Sequence, residues 1–70
     1  MNTIDFELTG EYIELIKLIK LLNIAESGAQ AKEMVENSEV LRNGNLENRK
    51  RAKLRRGDQI EIFDLKINIQ

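Results

Sequence analysis

Val40-Leu41-Arg42-Asn43-Gly44-Asn45-Leu46-Glu47 is the stretch whose reading decides the fold. Asn-Gly between strand-like residues is the preferred pair for a two-residue type I′ hairpin, because both central positions need φ > 0. In that register Arg42 opposes Asn45 and Leu41 opposes Leu46, which predicts a buried face shared by the two leucines. Upstream, Ser27-Gly28-Ala29-Gln30 has the spacing of a capping box and opens a helix over 27–37 that buries Ala31, Met34 and Val35. Further upstream, residues 11–22 read as a helix with charges at Glu11, Glu14, Lys17 and Lys20. Its apolar face is broad, centred on Tyr12, Leu15, Ile16, Ile19 and Leu22, with acids opening the helix and bases closing it. Residues 3–8 alternate, with Ile4, Phe6 and Leu8 on one face of a half-buried strand.

Downstream of the hairpin comes a basic run at 49–56, interrupted by Ala52 and Leu54. Arg56-Gly57-Asp58 turns the chain into a strand over 59–63 with Ile60 and Ile62 on one face. Asp64-Leu65 is a short connection to a last strand over 66–70, with Ile67 and Ile69 inward. The pattern β-α-α-β-β-β-β predicts an α+β class, two packed helices on a small, mostly antiparallel sheet. Pro is absent and no repeat or linker interrupts the pattern, so residues 1–70 are expected to form one domain.

With no Cys and no His, thiolate and imidazole ligands, disulfides, Cys nucleophiles and Ser-His-Asp relays are impossible, and neither a metal nor a cofactor is expected. The longest apolar stretch, around residues 13–24, is broken by Glu14, Lys17, Lys20 and Asn23, and no signal peptide is recognisable. A cytoplasmic protein without a membrane partner is the expectation. An enzyme is not expected either. Glu11, Glu14, Glu33 and Glu36 lie beside lysines in the manner of solvated helix faces, and the glycines at 10, 28, 44 and 57 are too scattered for a phosphate loop. Arg56-Gly57-Asp58 is ordinary turn chemistry ahead of a strand.

The net charge of −1 hides a strong segregation. Residues 1–41 carry eight acids and three bases, and residues 57–70 carry three acids and one Lys. Between them Arg42, Arg49, Lys50, Arg51, Lys53, Arg55 and Arg56 face Glu47 alone, a local net charge of +6. Such a block is either a guarded sheet edge in solvent or a surface for an anionic partner. Docking of helix 27–37 into DNA is disfavoured by Glu33 and Glu36 beside Lys32. Base stacking is expected to contribute little, since Phe6, Tyr12 and Phe63 all lie outside the basic run. What remains is contact with phosphates and shape, as in structured RNA.

Gly10-Glu11-Tyr12-Ile13, Leu18-Ile19-Lys20, Ser27-Gly28-Ala29-Gln30-Ala31-Lys32, the segment 40–44, Leu46-Glu47-Asn48-Arg49 and Gly57-Asp58-Gln59-Ile60-Glu61-Ile62 stand in a recognisable order and spacing. In these the chain resembles the RNA-binding domain first recognised in ribosomal small-subunit protein four, the S-four domain, and within it a small stand-alone bacterial branch typified by YaaA and YbcJ. The resemblance implies an α–L type motif, two helices and a following hairpin forming one surface for ribosomal or other structured RNA. It implies RNA contacts at Ser27, Gln30 and Lys32 of the second helix, Arg42 and Asn43 of the hairpin, and Arg49, Lys50, Arg51 and Lys53 of a basic strand; Arg55 and Arg56 extend the same charge block. Ser27-Gly28 stands where the wider family usually has Ser-Arg, and Ser38 where it usually has Gly. The alternative of another class is a protein-interaction module acting through the apolar first helix, with a ribosomal or enzyme partner. A small β-grasp carrier is disfavoured because the chain ends Ile67-Asn68-Ile69-Gln70 and not in Gly-Gly.

Overall fold

The computed structural model describes residues 2–37 and 39–70. Its elements are β1 (Asn2–Phe6), β2 (Ile13–Glu14), α1 (Leu15–Leu21), α2 (Gly28–Glu36), β3 (Val40–Arg42), β4 (Asn45–Leu46), β5 (Lys53–Leu54), β6 (Gln59–Ile62) and β7 (Leu65–Ile69). Ser38 lies outside the described residues. A five-stranded sheet runs in the order β1-β7-β6-β3-β4, and β2 pairs with β5 in a separate two-stranded ladder. Only β1 on β7 is parallel; β7 on β6, β6 on β3, β3 on β4 and β2 on β5 are antiparallel. The class is α+β, with two helices and a mostly antiparallel sheet as the sequence pattern implies.

Register follows from which residues must leave water. Ile60 pairs with Ile67 in β6–β7, Val40 pairs with Ile62 in β3–β6, and Ile4 and Phe6 lie beside Ile67 and Ile69 in β1–β7. These inward residues share one core with Leu15, Leu18 and Ile19 of α1 and Ala31, Met34 and Val35 of α2. A slip of one residue would turn every one of these side chains to the opposite face.

The Asn43-Gly44 turn has φ of 51° and 85°, the paired positive values of a type I′ hairpin, and the register Leu41 with Leu46 and Arg42 with Asn45 is as expected. The shared leucine face is not buried, however: Leu46 is 56% exposed and Leu41 half-buried. The parity is fixed on the other side of β3, where Val40 must face the core opposite Ile62, leaving Leu41 on the outer face opposite Glu61.

The first helix is shorter than its periodicity suggests. Residues 11–14 are not helical; Ile13 and Glu14 pair with Leu54 and Lys53. The N–H groups of Leu15 and Ile16, which have no partner within the helix, donate to the carbonyls of Ala52 (3.0 Å) and Lys50 (3.1 Å). These long-range hydrogen bonds outweigh local helix propensity, so no acid occupies the first turn and Tyr12 is not on the apolar helix face. The second helix starts where its box placed it. Ser27 Oγ accepts from the Gln30 N–H (3.1 Å), and Gln30 Oε1 accepts from the Glu26 N–H (2.6 Å), one residue earlier than the usual reciprocal bond. Of the basic run only Lys53–Leu54 is strand; Arg49–Ala52 turns, with the Ala52 N–H donating to the Arg49 carbonyl at 3.1 Å. The last hairpin turns at Phe63-Asp64, one residue earlier than read, so β7 begins at Leu65. No helix among the described residues is long and apolar enough to cross a membrane.

Candidate functional site

The seven bases of the charge block divide into two groups by what their donors already touch. Arg42 is built into the structure: its guanidinium donates to Asp58 Oδ2 (2.9 Å), the Lys53 carbonyl (2.9 Å) and Glu47 Oε1 (3.4 Å), and its side chain is only 23% exposed. Asn43 donates to Asp58 Oδ1 (3.0 Å) and accepts from the Gln59 N–H (2.8 Å), tying the hairpin tip to the start of β6. Arg56 donates to the carbonyls of Leu8 (2.7 Å) and Gly10 (2.8 Å), fastening the connection between β1 and β2. Arg49 chelates Glu47 through Nε (3.0 Å) and Nη2 (3.1 Å), yet most of its side chain remains in solvent.

Two carboxylates organise this network, and neither stood out in the sequence. Glu47 is the buried charged residue of the core region; hydrogen bonding from Arg49 holds its carboxyl below the ordinary value of 4.5 against the opposing effect of burial. Asp58 is raised by burial but more strongly lowered by bonds from the Arg55 N–H, Asn43 and Arg42, so its carboxyl also stays below the ordinary 3.8. The signal for Glu47 was its position as the single acid among seven bases. A lone carboxylate there is the natural anchor for guanidinium groups.

Of the others, Arg51, Lys53 and Arg55 are exposed and Lys50 is half-buried. Arg49, Arg51, Lys53 and Arg55, with Ala52 between them, line an open concavity of about 430 Å³ whose wall contains no acid. Lys50 is close enough to Lys32 of α2 that this neighbouring charge lowers its ammonium pKa from the ordinary 10.5. Lys32 also lies 3.9 Å from Glu36 on its own helix. Ser27 and Gln30 are exposed at the start of the same helix, their side-chain oxygens engaged in the cap.

The expectation that aromatics stand apart from the basic segment fails for Tyr12. Released from the helix by the β2–β5 pairing, its ring is 43% exposed, with Lys53 Nζ 5.0 Å and Arg55 Cζ 6.0 Å from its centroid. Sequence distance concealed this, since 41 positions separate Tyr12 from Lys53.

A cationic concavity without a facing carboxylate, bordered by an aromatic ring, suits a polyanion with planar groups. Compared with known families, the chain matches the S4 domain over residues 6–70. No curated protein matches it.

Proposed function

Because the chain belongs to the S4 domain family, which is associated with RNA binding, we propose that it forms one domain that binds structured RNA in the cytoplasm, with ribosomal RNA as the first candidate. Lys50, Arg51, Lys53 and Arg55 contact phosphates directly, with Arg49, Lys32 and the exposed groups of Ser27 and Gln30 at the margin. Arg42, Asn43 and Arg56 act behind them by holding the hairpin, the basic segment and the β1–β2 connection in register. The observation that carries the reading is the concavity lined by Arg49, Arg51, Lys53 and Arg55 with no acid in its wall. A guarded sheet edge needs charge but does not need four cations converging on one hollow.

Phosphate contacts release counterions, so affinity for an RNA hairpin falls with salt at a log–log slope of about −3 to −5 if four to six phosphates are neutralised. Lys50→Glu with Arg51→Glu lowers affinity by well over tenfold at moderate salt, as about two contacts become repulsions. Lys20→Glu with Lys66→Glu carries the same charge change outside the block and costs much less. A flat salt response, or equal losses for the two pairs in folded proteins, overturns the proposal.

A further inference from the structure

We propose that the S4 domain's phosphate surface is joined here to a slot for one unpaired base, with Tyr12 as its stacking wall. The slot is an open hollow of about 460 Å³ on the flank of Tyr12, walled by Phe6, Ile13 and Leu21, with Glu14 and Lys17 at its polar side. It adjoins the cationic concavity because β2 pairs with β5: Ile13 lies opposite Leu54 and Glu14 opposite Lys53, so Tyr12 sits between the two hollows. A nucleotide is a flat aromatic base attached to a phosphate. Tyr12 offers a face for the first, and Lys53 and Arg55, both within 6.0 Å of its ring centroid, offer charge for the second.

The burial of Ile13, the first residue of β2, explains why the ring is available. Ile13 is 8% exposed and turns into the core, which forces its neighbour Tyr12 outward, where it is 43% exposed. Lys53 and Arg55 lie over the ring, and its remaining exposed surface lines the hollow and is open to a ligand. Glu14 can accept from an exocyclic amino group and Lys17 can donate to a ring nitrogen or carbonyl, so the polar side suits a base edge. The slot takes single-stranded nucleotides flanking the duplex that the phosphate surface holds.

This inference rests on the RNA-binding reading, and the test separates the two. The probes are one RNA hairpin with a short adenosine overhang and the same hairpin with an overhang of abasic sugar-phosphates, which have equal phosphate counts. Wild-type protein binds the adenosine form more tightly by roughly 5- to 150-fold, the range of one stacked base. Tyr12→Leu abolishes that preference, and Tyr12→Phe retains it. Tyr12 is the single tyrosine of a chain without tryptophan, so its fluorescence reports the contact directly. The adenosine overhang quenches it and the abasic overhang does so much less, a readout that stands even if the leucine variant does not fold. Salt-sensitive but equal binding of both probes, with equal quenching, overturns the slot and leaves phosphate binding intact. Failure of wild-type protein to bind either hairpin at low salt overturns both.

Discussion

Replacing Glu47 by Gln keeps the shape of the side chain and removes its charge, which isolates the electrostatic role of the carboxylate. It accepts from Arg49 Nε at 3.0 Å, Arg49 Nη2 at 3.1 Å, the Arg49 N–H at 3.3 Å and Arg42 Nη1 at 3.4 Å, with its own side chain 7% exposed. A hydrogen bond to a charged group contributes about 1.5–3 kcal/mol when desolvated. Arg49 is 72% exposed, however, and solvent screening leaves that pair only a small net contribution. The Arg42 contact is long, and Arg42 keeps Asp58 and the Lys53 carbonyl after the substitution, so it adds about 0.5–1 kcal/mol. The expected loss is about 0.5–1.5 kcal/mol, which lowers the melting temperature of a domain this small by roughly 2–12 °C.

The pH dependence supplies the sharper check. The folded-state pKa of Glu47 lies below its ordinary 4.5, so its stabilisation is fully present above that value and is lost as pH falls through the folded pKa. Denaturant titrations of wild type and Glu47→Gln at pH 7 and at a series of acid values therefore show a gap that closes below pH 4.5. A gap that stays constant into acid, or a midpoint unchanged at pH 7, refutes the assignment of Glu47 as the charged anchor.

Gly44→Val places a β-branched residue at φ 85° with open space around its side chain, so the cost is backbone strain of about 1–2 kcal/mol, read from the denaturation midpoint. Asp58→Asn weakens the bonds from Arg42, Asn43 and the Arg55 N–H and costs about 1–3 kcal/mol at pH 7, a loss that vanishes as wild-type Asp58 is protonated below pH 3.8. Arg56→Met keeps the aliphatic stem but removes both bonds to the β1–β2 connection; amide hydrogen exchange at residues 9–12 accelerates, and stability falls by about 1 kcal/mol.

What was legible in the sequence was local chemistry. Asn43-Gly44 needs only its own backbone to specify a turn, and Ser27 with Gln30 needs only one helical turn to form a cap. The alternation of Ile60, Ile62, Ile67 and Ile69 likewise fixed the inward face without knowledge of their partners. The two largest errors have distant partners. Residues 11–14 satisfy a helical period, but their hydrogen bonds go to a segment some 40 positions on. Leu41 satisfies a hairpin pairing with Leu46, but the neighbouring β6 sets the parity of β3.

The candidate site shows the same division and a reason for it. Counting charge located the basic block but could not sort its members, because each cation's role depends on whether a carboxylate is folded against it. Glu47 and Asp58 together hold Arg42, and Glu47 pins Arg49 at the surface, which fixes the hairpin to the segment that follows. Seven like charges in fifteen residues would otherwise repel and spread the segment. One buried and one half-buried carboxylate instead hold its base, leaving Arg51, Lys53 and Arg55 exposed on the concavity. Glu47 and Asp58 are therefore what gives the block's remaining charge a fixed shape, and a fixed array of cations loses less conformational freedom when it meets phosphates than a flexible one.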